Sequence, residues 1–553
     1  MPLPDFLEAA GVAKDREHVW RFPAQHIELS LGAIVTAGAE YAAALASLRV
    51  GAGDRVGLML ENCAEYTSLL LGIWTLGAIA VPLRPYGGQK FDLAGFIREV
   101  DHDCEFAVLV VEDEFDAGIR DAWVAASGRC AMGKGRLSEL AKSAPAVRAT
   151  PLAREDMAIL QYSSGSTSRP KGVIVSHGMV GDQVRQLDAE FRHACVGAGL
   201  RSSGSWLPFY HDMGLFIGLL YPLFARAHNI LASPLFYMRD PKRWFRLQAA
   251  HRVDWNFTTN LAMANSVRSL RLLDPAAVDL SHFHLYLAAE KVSPVVLEQT
   301  CDVLARLGTP RENVRVGYGM AENALGVAST KDGAVRCVRV RLDSEAGLRF
   351  AEADDPEAVE IVSIGRPHVN TIVTVRDEQG NVRPDFTLGE ICVEGPCVTP
   401  GYFRDSAKTL QHIVGGVLRT GDIGFRLDGE FYFVTRKDDV LVVGGRNVSP
   451  EDIEDCVEAV DGVPVGGAVL IDVPVVETGT TELVLLVEVY HPLSPEQAAE
   501  RSAMLRAHVL DQRGLLVNRV VFAKKNALEK TSSGKKRRVI IRKRFVKHEL
   551  DLI

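Results

Sequence analysis

Short apolar runs of strand length alternate along most of the chain with longer stretches in which apolar residues recur every three or four positions. Runs such as "RVGLML" at 55–60, "FAVLVV" at 106–111, "MAILQYSS" at 157–164 and "VDWNFTT" at 253–259 are bounded by turn residues and separated by helix-patterned segments. That alternation predicts βαβ units, and hence an α/β fold with substantially parallel sheets. The longest apolar run, "SLLLGIWTLGAIAVPL" at 68–83, is broken by glycines and a proline and is too short to span a bilayer. It predicts a buried helix followed by a buried strand.

The texture changes twice further on. After about residue 363, "NTIVTVRDEQGNVRPDFTLGEICVEGP" reads as short antiparallel strands joined by turns such as Gln379-Gly380-Asn381. Beyond it, "DGEFYFVTRKDDVLVVGGRNVSPEDIEDCV" holds a strand, a charged turn, a second strand and a helix start capped at Ser449 before Pro450, the opening of a small separate domain. The expected organisation is a large N-terminal domain over residues 1–435, with mixed and parallel sheets flanked by helices and a β-rich subdomain at about 363–435. A hinge at 436–439 then leads to a small, mobile α+β domain at 440–553.

Composition narrows the classes. At 553 residues the chain exceeds one ordinary core, and 47% hydrophobic with 24% charged residues is the balance of a globular protein. A net charge of −8 argues against a general nucleic-acid binder, although Lys and Arg gather between Lys524 and Lys547. The opening residues lack a signal-like apolar core and the nine cysteines form no CxxC pair, so a cytoplasmic protein with reduced thiols and no integral membrane segment is expected.

Candidate chemistry begins in "QYSSGSTSRPKGVIVSH" at 161–177. The stretch fails the P-loop pattern, because Lys171 follows Pro170 and precedes Gly172. Hydroxyls of Ser163, Ser164, Ser166 and Thr167, the free backbone of Gly165 and the charge of Lys171 could still cradle a phosphate; the alternative is a solvated Ser/Thr-rich turn. His211 and Asp212 form a His-Asp pair with no serine nucleophile elbow beside it, and "HFH" at 282–284 has no partner cluster for a metal.

Five further blocks follow in order: "SWLPFYHDMGL" at 205–215, "GYGMAEN" at 317–323, "RTGDIGF" at 419–425, "TRKDDVLVVGGRN" at 435–447 and "EKTSSGKKRR" at 529–538. With the Ser/Thr-rich loop they resemble the motif series of the adenylate-forming superfamily, from about residue 30 to 540. The resemblance implies ATP, Mg²⁺ and a carboxylic acid activated as its acyl-adenylate with release of pyrophosphate. It implies that Lys535 is the catalytic lysine, bridging the carboxylate and the α-phosphate, that Asp422 accepts from the ribose hydroxyls, and that Arg436 contacts the ribose. Glu322 would hold Mg²⁺, with Thr167 as a second ligand, and Tyr318 would stack on adenine. His211 falls at the mouth of the acyl site and Asp438 at the hinge, while Ala289, Glu290, Gly317, Gly319, Met320 and Ala321 join the nucleotide-binding set.

Within the superfamily the closest resemblance is to fatty acyl-AMP ligases, through "SWLPFYHDMGLFIGLLYPLF" and "YGMAENALGVAS". About 35 residues, "TKDGAVRCVRVRLDSEAGLRFAEADDPEAVEIVS", then precede "IGRP" and resemble the insertion of those ligases, taken there to disfavour free CoA. The implied acceptor is the phosphopantetheine thiol of an acyl carrier protein; an acyl-CoA ligase and a non-catalytic binding homologue remain as alternatives. Three departures stand out: Ser168-Arg169 in the phosphate loop, "LAAEKVSP" at 287–294 and "TTNLAMA" at 258–264. The last two segments border the adenine and acyl pockets in the family, so they leave the acid's identity open.

Overall fold

The apolar run at 68–83 folds as expected: the helix Ala64–Thr75 is buried almost throughout and leads into the buried strand Ile79–Pro82. The helix is the crossover from the parallel neighbour Arg55–Met59, with Val56 opposite Ala80. Trp74 anchors it, fully buried, its indole N–H donating to the Ala158 carbonyl at 2.8 Å. Trp74→Ala would empty that site at a cost of about 3–5 kcal/mol.

A computed structural model describes the chain except at residues 1, 86–92, 116–129, 164–170, 196, 344–346, 353, 354, 356, 357, 440, 444, 445, 476–479, 514 and 532–534. The first sheet has six strands in the order Cys130–Gly133, Val108–Val111, Arg55–Met59, Ile79–Pro82, Met157–Ser163 and Lys171–Ser176, all parallel except the last pair. Strands such as Val108–Val111 are apolar at every position because helices cover both faces of a parallel sheet.

The second sheet holds the site. Its central strands Ser202–Ser205, Trp255–Thr259, His284–Ala288 and Val314–Gly319 are parallel. At Gly319 the sheet changes sense: Gly326–Ser329 returns antiparallel, followed across the sheet by Val359–Pro367, Glu430–Arg436, Val417–Leu427, Gly389–Glu394 and Ile372–Arg376. The turn read at Gln379-Gly380-Asn381 is present, with Gly380 at φ +91° and the Asn381 N–H donating to Asp377.

The C-terminal residues build cores of their own around the strands Ala468–Val475, Thr480–Val489 and Arg519–Lys524 and the helices Pro450–Glu458, Pro495–Arg513 and Arg538–Val546. The middle strand pairs antiparallel with the first and parallel with the third, an α+β arrangement. One reading fails in detail. Ser449 is the N-cap residue of Pro450–Glu458, but its hydroxyl donates to the Glu451 carboxylate at 3.0 Å instead of accepting a helix N–H. Pro450 already removes one of the N–H groups a cap serves, and the adjacent carboxylate is the stronger acceptor.

Candidate active site

Ligands in α/β sheets bind beyond the carboxyl ends of parallel strands, where the strand order or sense switches. Here the ends of Trp255–Thr259, His284–Ala288 and Val314–Gly319 meet at the parallel-to-antiparallel change. The change is tight: a Cβ on Gly319 would lie 2.0 Å from the Leu325 carbonyl oxygen, so no other residue fits. A cavity opens there, walled by Met213, Trp255, Phe257, Tyr286, Ala288 and Gly317. Asp212, Ala289, Tyr318 and Gly319 also line it, and Ala289 holds the left-handed region at φ +74°, strained for a residue with a side chain.

Tyr318, Asp422 and Arg436 form one unit on the antiparallel side. The Tyr318 hydroxyl donates to Asp422 Oδ2 at 2.5 Å, and Arg436 Nε lies 3.0 Å from Oδ1. Strand pairing sets this contact, since Asp422 stands directly opposite Arg436. Each carboxylate oxygen therefore has one protein donor and retains acceptor capacity for one more, which fits two neighbouring ribose hydroxyls.

Glu322 lies in the single 3-10 turn Ala321–Asn323, and its carboxylate accepts from the Tyr402 hydroxyl at 2.9 Å. Met320 precedes that turn in extended backbone, its N–H donating to Leu325, and Ala321 packs with Val173 and Tyr402. Lys171 begins the last strand of the first sheet. Burial and the neighbouring Lys408 ammonium push Lys171 down to about 8, against the pull of Glu322. Two crowded lysines with Arg436 nearby are costly alone and suit a polyphosphate. Ser163 ends the strand Met157–Ser163; Ser164, Gly165, Ser166 and Thr167 lie outside the described residues.

His211 and Asp212 stand just before the π-helical segment Gly214–Leu220, a distortion frequent at functional sites. Burial, then the charges of Lys535 and Arg84, hold His211 down to about 4, so its imidazole is neutral at neutral pH. Burial raises Asp212 to about 6 and Glu290 to about 7, with Lys535 opposing both. Glu290 also accepts from the Leu261 N–H at 2.6 Å. One cation from the small domain thus acts on three residues of the large one.

The basic tail explains how. On either side of residues 532–534 the backbone is tied together by Thr531 N to Lys535 O at 2.7 Å, Lys535 N to Thr531 Oγ1 at 3.0 Å and Arg537 N to Glu529 O at 3.0 Å. Alternate residues turn inward: Lys536 bonds Glu454 and Glu458 at 2.8 and 2.9 Å, and Arg538 pairs with Glu454. Lys535, which precedes Lys536 and points the other way in the alternation, is exposed. Asp438 is the middle residue of the single 3-10 turn Lys437–Asp439 that follows the strand ending at Arg436.

The two departing segments also face the small domain. Lys291 pairs with Asp452, and the Thr435 hydroxyl donates to Glu451 at 3.2 Å. A Cβ on Gly466, itself at φ +71°, would approach Leu261 to 3.0 Å. Lys408 and Tyr402 escaped the sequence reading; each is a single residue outside any recurring spacing, visible only once the chain is folded.

The fold superposes on a solved structure from studies of fatty acyl-adenylate ligases from E. coli and L. pneumophila with a TM-score of 0.88 at 25% identity, covering 99% of this chain and 98% of that one. The class is that of adenylate-forming ligases. Residues 6–403 match the model of AMP-binding enzymes, and residues 438–553 match the Disco-interacting protein 2-like AMP domain. A 4-hydroxyphenylalkanoate adenylyltransferase of Mycobacterium tuberculosis is 31% identical over 90% of this chain and 83% of its own. A long-chain-fatty-acid–AMP ligase, FadD26, of Mycobacterium marinum is 29% identical over 89% and 87%. The chain belongs to the AMP-binding enzyme family, and ATP is its nucleotide substrate. No helix among the described residues is long and apolar enough to cross a membrane.

Proposed function

We propose that the enzyme joins a hydrophobic carboxylic acid to AMP and then passes the acyl group to the phosphopantetheine thiol of a carrier protein. The observation that carries this reading is the convergence of Lys535 with His211, Asp212 and Glu290 beside an apolar cavity. An acid lying in that cavity presents its carboxylate at the strand ends. There a carboxylate oxygen attacks the α-phosphorus of ATP, the bond to the β-phosphate oxygen breaks, and pyrophosphate leaves with the electron pair. Two anions must approach, so a cation between them lowers the barrier more than a side-chain nucleophile could.

Asp422 and Tyr318 would take the ribose and adenine, Arg436 the ribose, and Lys171 with Lys408 the β- and γ-phosphates. The described residues contain no group of three or more His, Cys, Asp or Glu that could hold a metal. Glu322 as a lone carboxylate fits Mg²⁺ held mainly by phosphate oxygens and water, where the ion would offset phosphate charge.

Three observations support a carrier thiol over free CoA, and all concern the insertion at 330–362. Its strands Cys337–Asp343 and Gly347–Phe350 form a hairpin, and the first pairs with Val359–Pro367. Val340 and Ile361 pack with Tyr432 and Val434, on the strand that ends at Arg436 beside the hinge. Phe350, paired with Val340 at the open end of the hairpin, stacks on Phe386 at 4.1 Å and fixes that end. An element so attached can bias a small domain that must re-orient between adenylation and thioester formation. The relatives named above differ in their acids, one hydroxyaromatic and one long-chain aliphatic, so the acid is hydrophobic in either case. A panel of carboxylic acids scored by acid-dependent pyrophosphate release tests the first half-reaction. Transfer from the adenylate to CoA or to a phosphopantetheinylated carrier tests the second.

A further inference from the structure

The rim of the cavity carries a surface that adenylation does not use. The strand His228–Leu231 runs parallel to Ser202–Ser205, which is parallel in turn to Trp255–Thr259, so their carboxyl ends share the edge of the sheet where the cavity opens. From the first of these ends the chain passes through Ala232 and Ser233 into two short helices, Pro234–Arg239 and Pro241–Ala250. Each begins with a proline behind a capping side chain, Ser233 accepting from the Phe236 N–H and Asp240 from those of Lys242 and Arg243. Tyr237 pins the first helix to that edge: its ring stacks on Trp206 at 4.2 Å, and its hydroxyl meets that of Ser266, in the helix Asn260–Leu270, at 2.7 Å. Leu261, in the first turn of that helix, faces Gly466 of the C-terminal residues.

What the two short helices show to solvent is cationic and apolar. Residues 234–250 hold Arg239, Lys242, Arg243 and Arg246 against one acid, Asp240, in a chain whose net charge is −8. The Asp240 carboxylate is occupied by its capping bonds, and among the described residues none of the four cations has a carboxylate partner. Other arginines are paired: Arg201 with Asp254, Arg226 with Asp15 and Arg311 with Glu298. Leu235 and Met238 are 39% and 69% exposed, on the helix face that also carries Arg239. The Arg243 guanidinium lies over the Phe236 ring at 4.5 Å, which joins the outer faces of the two helices into one surface.

Unpaired cations around two exposed apolar side chains are complementary to an anionic protein helix bearing an apolar residue or two. The charges steer the encounter, and an adaptable methionine fits the contact. A bilayer suits the surface less well, because an interfacial helix buries a broad apolar face and Pro234–Arg239 turns only Leu235 and Met238 outward.

We propose that Leu235, Met238, Arg239, Lys242, Arg243 and Arg246 form the docking surface for the acyl acceptor, an acidic carrier protein that lays an anionic helix against them. Its phosphopantetheine thiol then reaches the adjoining cleft. There the sulfur attacks the acyl carbonyl carbon of the adenylate, the bond from that carbon to the phosphate oxygen breaks, AMP leaves with the electron pair, and the thiol proton passes to solvent. The inference rests on the carrier-thiol reading proposed above and adds the surface that receives the carrier.

The test uses the full-length protein and a panel of phosphopantetheinylated acyl carrier proteins of net negative charge, with free pantetheine as a thiol that has no protein to dock. Arg239→Glu combined with Arg246→Glu reverses two charges that are exposed and without a side-chain partner among the described residues. The KM for the best-used carrier should rise at least about tenfold, with transfer to pantetheine and acid-dependent pyrophosphate release within about twofold of the unmodified protein. Added salt should raise the carrier KM of the unmodified protein and change that of the double variant much less. Replacing acidic residues of the carrier's helix by lysine should restore transfer by the double variant. A carrier KM unchanged by the double substitution would overturn the docking surface while leaving the carrier reading in place. Loss of binding to phosphatidylserine–phosphatidylcholine vesicles in the variant, with that KM unchanged, would assign the patch to a membrane and overturn the inference equally. Rapid transfer to CoA and to none of the carriers would overturn the carrier reading and the inference with it.

Discussion

The two halves of the candidate active site are built in opposite ways. On the large domain, Asp422 is buried, faces Arg436 across a strand pair and holds the Tyr318 hydroxyl, all within one continuous sheet. Among the C-terminal residues, Lys535 is exposed beside residues 532–534, and its charge acts on His211, Asp212 and Glu290 of the sheet-bearing part only because the C-terminal part is docked against it. The first arrangement is organised before any ligand arrives. The second depends on an orientation. A substitution in the sheet should therefore act on nucleotide binding, and one at Lys535 or in the hinge on rate or on the choice of half-reaction.

The largest effect is expected at Lys535. Lys535→Ala should lower acid-dependent ATP–pyrophosphate exchange by at least about 10²-fold, since a preorganised charge is lost where negative charge moves. ATP affinity, measured by equilibrium titration, should change little because the proposed ribose contacts of Asp422 and Arg436 lie in the sheet and are untouched. An unchanged exchange rate would remove Lys535 from the mechanism.

Next comes the insertion. Replacing residues 335–355 by a short Gly/Ser linker removes the hairpin that packs beside Tyr432 and Val434, and with it the bias proposed above for the hinge. If the bias is about 3 kcal/mol, acyl-CoA formation should rise by roughly two orders of magnitude while adenylation is largely kept. Rapid acyl-CoA formation by the unmodified protein would favour the CoA-ligase alternative instead.

Asp422→Ala should raise the KM for ATP by about tenfold to a hundredfold, the loss of one or more charge-assisted hydrogen bonds. The kcat at saturating ATP should fall less than the KM rises. A normal KM would make Asp422 a strand residue whose work is finished once it has paired Tyr318 and Arg436.

The contrast between the halves also explains what could be read in advance. Strand runs such as "VDWNFTT" and the buried helix within 68–83 follow from local periodicity, and the folded chain has them. Lys535, Asp422 and Glu322 stood in short blocks whose order carried the reading. The burial of Lys536 and Arg538 against Glu454 was not legible, because "GKKRR" looks uniformly basic until a glutamate some eighty positions earlier is brought beside it. His368, Ser329 and Glu190 are spread still further, each one polar residue among apolar neighbours, and only the fold makes them a chain of hydrogen bonds. Lys291 was noticed as a departure, but its partner Asp452 lies beyond the hinge.

That partner leads to the smallest expected effect, which concerns the docked orientation itself. Asp455 lies beside Lys291 at the interface, and burial raises it from 3.8 to about 7; Glu458 and Asp452 push the same way, while Lys291 and Lys536 oppose them. A carboxyl whose pKa is raised on docking takes up a proton as it docks, so its contribution is complete below its ordinary pKa and is lost as pH rises through the docked value. The docked arrangement should therefore weaken toward neutrality, by about fivefold in population ratio over the last pH unit below about 7. Fluorescence transfer between labels on the two domains would follow it, and Asp455→Asn should flatten the dependence by keeping a neutral group at every pH. A pH profile identical in Asp455→Asn and in the unmodified protein would show that the interface is set by the Lys291–Asp452 pair, with no titrating partner, and would leave orientation to the hinge and the insertion alone.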